Sequence, residues 1–181
     1  MSNLNIVAIR MDITKIGDKA DAIVNAANER LLGGGGVDEA IHKAAGPMLL
    51  KECMTLGGCK PGEAKVTKAY NLNNKYIIHT VGPRYYDNPT PAKTLENAYL
   101  NSLILADELG LETIAFPSIA TGIFSYPLKE AAEICARTVS SYNSKNLKQA
   151  YMCIYSSNDL EGDMRKVEIY NSMFKKYLLT E

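Results

Sequence analysis

The sequence predicts an α/β domain with a mixed, mainly parallel central sheet covered by helices. Short runs rich in Val, Ile or Tyr, bounded by Gly, Pro, Asn or Asp, alternate with amphipathic stretches of helical period. Two of those runs follow one another across "NLNN", as an antiparallel hairpin would, which makes the sheet mixed. With 181 residues, 46% hydrophobic and 22% charged, the chain has the composition of an ordinary soluble globular protein and length enough for a well-buried core.

In chain order the strands are "NIVAIR", "DAIVNAA", "EAKVTKAY", "KYIIHTV", "TIAFPS" and "AYMCIYS". The first helix covers 38–45, breaks at Gly46-Pro47 and resumes in "MLLKECM". The next covers 94–109. It sets Leu95, Ala98, Tyr99, Leu103 and Ala106 on one face, with Gly110 as its stop. Two more cover 128–142 and 163–178. "GPRYYDNPTPAK" is a Pro-rich loop, either a surface connection or part of a cleft wall. No repeat or low-complexity segment interrupts the pattern, so 1–181 is expected to form a single domain.

Lys plus Arg and Asp plus Glu number 20 each, so the formal net charge is zero. That argues against nucleic acid or an anionic membrane as partner. No apolar run approaches the roughly 18 residues of a membrane helix, and "MSNLNIVAIRMD" lacks the pattern of a signal peptide. Cys53, Cys59, Cys135 and Cys153 form no CxxC pair, and His42 and His79 show no zinc-ligand spacing. Reduced, buried thiols in a cytoplasmic protein are expected, with no metal and no cofactor.

In such folds ligands gather at the carboxyl ends of the strands. Two segments leave strands there with unusual chemistry. The first is "NAANERLLGGGGVDEAIHKAAG", with four consecutive glycines. Bare amides at a helix start converge on an anion with help from the helix dipole, so this turn suits a phosphate or pyrophosphate; the alternative is a flexible connector. A P-loop is excluded because no Lys follows the run. A dinucleotide fingerprint is excluded too: its third glycine would fall on Asp38 or Glu39. Asp38 opens the helix and can cap it, bind sugar hydroxyls or hold a water. Asn28 is a turn residue or an amide for a ribose hydroxyl. His42 shares the helical face of Asp38; packing is its simpler role, a catalytic base the other.

The second segment is "PSIATGIFSYP". Ser118, Thr121 and Gly122 offer hydroxyls and a close-approach backbone for a phosphate. Phe124 and Tyr126 can stack on a sugar or base, or simply cover the core. Asp12, just after the first strand, can accept from an adenine amino group or cap a turn.

Taken together, "DAIVNAAN", "LLGGGGVDEAIHKAAGP", "IIHTVGP", "FPSIATGIFSYP" and "AAEICARTV" resemble the macro domain family. More narrowly they resemble its MacroD-type ADP-ribosyl hydrolases, also described as O-acetyl-ADP-ribose deacetylases. The resemblance runs in order through about three quarters of the chain. It implies a three-layer α/β/α sandwich with an ADP-ribose cleft at the strand ends. It implies that Asp12 contacts the adenine amino group, that Ile13 lines the adenine pocket and that Tyr155 packs near the adenine. Gly36 and Val37 would use their backbone on the diphosphate or distal ribose. Ala120, Thr121, Gly122, Ile123 and Phe124 would form a second phosphate loop, with Phe124 against the distal ribose. Asn28 and Asp38 would face that ribose as the catalytic pair, without a metal.

Four positions depart from the family pattern: Met11, Glu39 and Ser125 stand where it usually has Gly, and Ala120 where it usually has Ser. The implied activity is hydrolysis of mono-ADP-ribose from acidic side chains, or deacetylation of O-acetyl-ADP-ribose. Its partners would be ADP-ribose and its esters, including mono-ADP-ribosylated proteins. The alternatives are a non-catalytic ADP-ribose reader and a phosphatase acting on ADP-ribose 1″-phosphate.

Overall fold

The structure, a computed structural model, describes residues 4–178. Its elements run β1 (Asn5–Arg10), two 3-10 turns (Ile13–Lys15 and Gly17–Lys19), β2 (Ala22–Ala26), α1 (Val37–Ala45), α2 (Pro47–Cys53), β3 (Ala64–Lys68), β4 (Tyr76–Thr80), α3 (Pro91–Glu108), β5 (Thr113–Pro117), α4 (Leu128–Ser141), β6 (Gln149–Ile154) and α5 (Leu160–Leu178). All six expected strands and all the expected helices form. The two 3-10 turns were not foreseen, because three-residue turns leave no periodic pattern to read.

The strands form one sheet in the order β1-β6-β5-β2-β4-β3. Every neighbouring pair is parallel except β3 and β4, which form the expected antiparallel hairpin. Alternation along each strand divides the core between the two faces. Val24, Ile78, Ile114, Phe116 and Met152 pack beneath α3, α4 and α5. Ile23, Ile77, Ala115 and Cys153 pack beneath α1, α2 and the 3-10 turns, with Ile41 and Leu49 from the helices. The result is the three-layer α/β/α sandwich. All four cysteines are buried and unpaired. No helix among the described residues is long and apolar enough to cross a membrane.

Five parallel strands end at the same edge. The segments leaving β1, β6, β5 and β2 stand side by side there in the order of the sheet. This brings together Asp12, Tyr155, the 118–126 loop and the glycine run, which are far apart in sequence.

Candidate functional site

The carboxyl edge of the sheet holds a cleft of about 780 Å³, within the size range of small-molecule sites. Asp12, Ile13 and Tyr155 line it at the β1–β6 side; Gly36, Val37, Ala120, Thr121, Gly122, Ile123 and Phe124 line it at the β5–β2 side. Asn28 and Asp38 are not on its surface. They lie behind the glycine run, and their geometry explains why.

Asp38 sits in the first turn of α1 and is 3% exposed. Its Oδ1 accepts from Asn25 Nδ2 at 2.8 Å and stands 3.4 Å from His42 Nε2. His42 therefore meets Asp38, beyond merely packing. Among the described residues Asp38 Oδ2 and Asn25 Oδ1 are buried without a hydrogen-bond partner. Burial raises the Asp38 pKa above the ordinary carboxyl value, and the Asn25 amide and His42 only partly offset this. Asn28 folds its side chain over the loop. Its Nδ2 donates to Gly33 O at 3.1 Å and its Oδ1 accepts from Arg30 N at 3.2 Å.

Gly34 covers both groups. A Cβ there would stand 3.0 Å from Asn28 Nδ2 and 3.1 Å from Asp38 Oδ2, so the amide and the free carboxylate oxygen converge on one point. Gly36 caps α1 with φ 63° and ψ −133°, a conformation open essentially only to glycine. With no side-chain cap on that helix, its first amides remain available to an anion.

The second loop is braced internally. Thr121 Oγ1 meets Ser118 Oγ at 2.7 Å, and Tyr126 N donates to Ala120 O at 2.9 Å. Ala120 and Ser125 hold positive φ, 67° and 65°. Phe124 lines the cleft with the Arg84 guanidinium 5.0 Å from its ring centre. Tyr126, by contrast, is 5% exposed and packs on Tyr85, so of the two aromatics it is the one that covers the core.

At the other end Asp12 Oδ1 accepts from Thr14 N at 2.9 Å and Thr14 Oγ1 at 2.6 Å, capping the first 3-10 turn. Its second oxygen makes no hydrogen bond among the described residues, so capping and ligand contact are compatible. Ser157 and Asp163 also line the cleft and escaped the sequence reading. Asp163 accepts from Arg10 Nε at 3.0 Å and from both N and Oγ of Ser157 at 2.7 Å. These bonds, the Ser157 hydroxyl foremost, hold its carboxyl below the usual range. They clamp the segment bearing Tyr155.

The macro domain family model matches residues 24–135. This chain belongs to the macro domain family. A macro domain-containing protein of Chlorobaculum tepidum is 51% identical over 162 residues, covering 88% of this chain and 93% of that protein. The ADP-ribose glycohydrolase MACROD2 of Xenopus laevis is 46% identical over 170 residues; the match covers 91% of this chain but only 40% of that longer protein. Among solved structures, a substituted form of the Oceanobacillus iheyensis macrodomain with ADPR has a TM-score of 0.83 at 37% identity, covering 98% of this chain and 94% of that one. The Trypanosoma brucei macrodomain in complex with ADP-ribose has a TM-score of 0.78 at 38% identity, covering 90% and 67%.

Proposed function

We propose that this macro domain, acting as one unit over 1–181, binds ADP-ribose in the cleft and hydrolyses its esters at the distal ribose. The relatives named as ADP-ribose glycohydrolases and the neighbours solved with ADP-ribose support the ligand class. One observation supports turnover above all. Asp38 is a buried carboxylate with an unpartnered oxygen, turned toward the same point as the Asn28 amide.

The adenosine would lie between Asp12, Ile13 and Tyr155, and the diphosphate between the Gly36–Val37 amides and the 120–123 loop. Phe124 would face the distal ribose. Asn28 Nδ2, which now donates to Gly33 O, would exchange that carbonyl for a ribose hydroxyl as the glycine run yields to the ligand. Asp38 Oδ2 would orient a water and accept its proton as the water oxygen attacks the ester carbonyl carbon. The bond from that carbon to the ribose oxygen breaks, the proton goes to the departing ribose oxygen, and the freed carboxylic acid of the modified side chain, or acetic acid, gives its own proton to solvent. Because burial raises its pKa, Asp38 is a better base than an ordinary aspartate. The substrates would be mono-ADP-ribosylated glutamate or aspartate in proteins and O-acetyl-ADP-ribose.

One feature favours a binding module without turnover: Asp38 and Asn28 lie behind the glycine run rather than on the cleft surface. One experiment separates the two. Release of ADP-ribose from a glutamate-modified protein and from O-acetyl-ADP-ribose is followed for wild type, Asn28→Ala and Asp38→Ala, with free ADP-ribose titrated by calorimetry. Hydrolysis predicts release by wild type and a loss on the order of 10²-fold in each variant with binding retained. Tight binding without release leaves the binding module.

A further inference from the structure

Behind Asp38 a chain of polar side chains crosses three strands inside the core, and the hydrolytic reading above leaves most of it without a role. Asn25 on β2 and His79 on β4 are register partners in the parallel pair. Both face the α1–α2 side of the sheet, Asn25 0% exposed and His79 1%. Asn25 Nδ2 lies 2.8 Å from Asp38 Oδ1 and 3.1 Å from His79 Nδ1. His79 Nε2 lies 3.0 Å from Thr67 Oγ1 on β3, and Thr67 Oγ1 donates to Lys68 O at 3.0 Å.

The donors and acceptors allow one assignment. An ionised Asp38 accepts only, so the nitrogen of the Asn25 amide must face it. That same nitrogen then presents its other hydrogen to His79, and Nδ1 must be the bare, accepting nitrogen. The ring proton therefore sits on Nε2 and is donated to Thr67 Oγ1, whose own proton is committed to Lys68 O. Each contact orients the next, ending at the carboxylate. With Oδ1 held, Oδ2 is the oxygen left free beneath Gly34.

We propose that His79 is a positioning residue for hydrolysis: through Asn25 it fixes the rotamer of Asp38 so that Oδ2 is the oxygen presented to the reacting water. This rests on Asp38 being the catalytic carboxylate. Burial keeps the ring neutral, its pKa lowered to about 3 with His42 adding to the effect, so the acceptor at Nδ1 persists across the working range. The ionisable groups facing it are Asp38 beyond Asn25, His42 on α1 with its ring centre 6.5 Å away, and the Cys53 thiol on α2 with Sγ 4.0 Å from Nε2. Burial raises the Cys53 pKa to about 11, so that group stays a neutral thiol.

The test is steady-state release of ADP-ribose from a glutamate-modified protein by wild type, His79→Phe, His79→Gln, Thr67→Val, Asp38→Ala and the double variant His79→Phe/Asp38→Ala. His79→Phe should lower kcat roughly 10- to 100-fold, the scale of a catalytic group displaced by under an ångström, while KM and the Kd for ADP-ribose stay within about threefold. His79→Gln, whose amide can accept from Asn25 and donate to Thr67, should recover most of the rate. Thr67→Val should lower kcat more modestly. The double variant should be no slower than Asp38→Ala alone.

A wild-type kcat in folded His79→Phe overturns the proposal, as does a loss in the double variant multiplying that of Asp38→Ala. If His79→Phe does not fold, nitrogen NMR of the imidazole in the wild-type protein decides. An Nε2–H neutral tautomer at pH 6 supports the assignment, and an Nδ1–H tautomer overturns it. Full activity in Asp38→Ala is a separate outcome, which removes the catalytic reading of Asp38 itself.

Discussion

A Cβ on Gly34 would lie 3.1 Å from Oδ2 of Asp38, closer than nine in ten contacts made by real Cβ atoms. The same atom would lie 3.0 Å from Asn28 Nδ2. Of the glycines in the run, Gly34 is the one whose missing side chain makes room for the two candidate catalytic groups. Gly34→Ala would therefore displace them while leaving the sheet untouched. Turnover should fall on the order of 10²-fold, the effect of misplacing a catalytic group by about 1 Å. The melting temperature should change little, since the position is exposed. Kinetics and a thermal melt on the same preparation check both statements. Near-wild-type turnover would mean that the loop swings clear of Asp38 when ligand binds.

Asp38 also links activity to stability. Burial raises its folded-state pKa, so the folded protein binds a proton more readily than the unfolded chain, whose ordinary carboxyl value is 3.8. Stability from this group is greatest below that value and declines as pH rises through the folded pKa, where a charge must be held in the core. Asp38→Asn keeps the shape and removes the charge. It should lower turnover on the order of 10²-fold, as Asp38→Ala does, yet raise the melting temperature at pH 7, with the gain shrinking toward pH 4. Melts across pH 4–8 check the sign; a variant less stable than wild type at every pH would show that the Asn25 and His42 contacts outweigh desolvation.

Ser125 marks a local conflict between sequence and backbone. It sits at φ 65°, where an L-residue with a side chain costs about 1–2 kcal/mol. Glycine would relieve that strain and give back about 0.5–1 kcal/mol through the entropy of the unfolded chain. Ser125→Gly should therefore stabilise the protein by up to about 1 kcal/mol in denaturant unfolding. Ala120, at φ 67°, is strained in the same sense but lines the cleft, so a gain there would be mixed with changes in ligand binding.

Much of the architecture was legible because it is periodic. The hairpin at 63–81, the Gly46-Pro47 break between α1 and α2, and the Leu95–Tyr99–Leu103 face of α3 each leave a local signature of turn chemistry or helical spacing. The cleft was legible in outline because the two small-residue loops leave neighbouring parallel strands. Two kinds of feature were not. Asn25 and His79 stood in runs counted as strand, and their meeting depends on a β2–β4 register that no local pattern encodes. The Arg10–Asp163 clamp joins residues 153 positions apart. The placement of Asp38 and Asn28 behind Gly34, the first buried and the second half-buried, follows from the path of a loop, which hydrophobic periodicity does not constrain.

That clamp gives a prediction specific to the β1–β6 end of the cleft, where the adenosine is proposed to lie. Arg10 Nε donates to Asp163 Oδ2 at 3.0 Å, and Arg10 Nη2 donates to Ser157 O at 2.8 Å. Removing it leaves Asp163 attached to Ser157 but detaches both from the end of β1, the strand that leads to Asp12. Charge-assisted bonds of this kind set geometry as well as energy. Arg10→Ala should loosen the wall that bears Tyr155 without reaching Asp38, which stands at the β2 end of the cleft. Calorimetry should then show a several-fold weaker Kd for ADP-ribose, and KM should rise in step while kcat at saturation stays near wild type. Titration with AMP, which would fill the adenosine end alone, should show the same weakening as ADP-ribose. A fall in kcat with unchanged affinity would instead place the effect of this clamp at the reacting end, transmitted along the sheet edge.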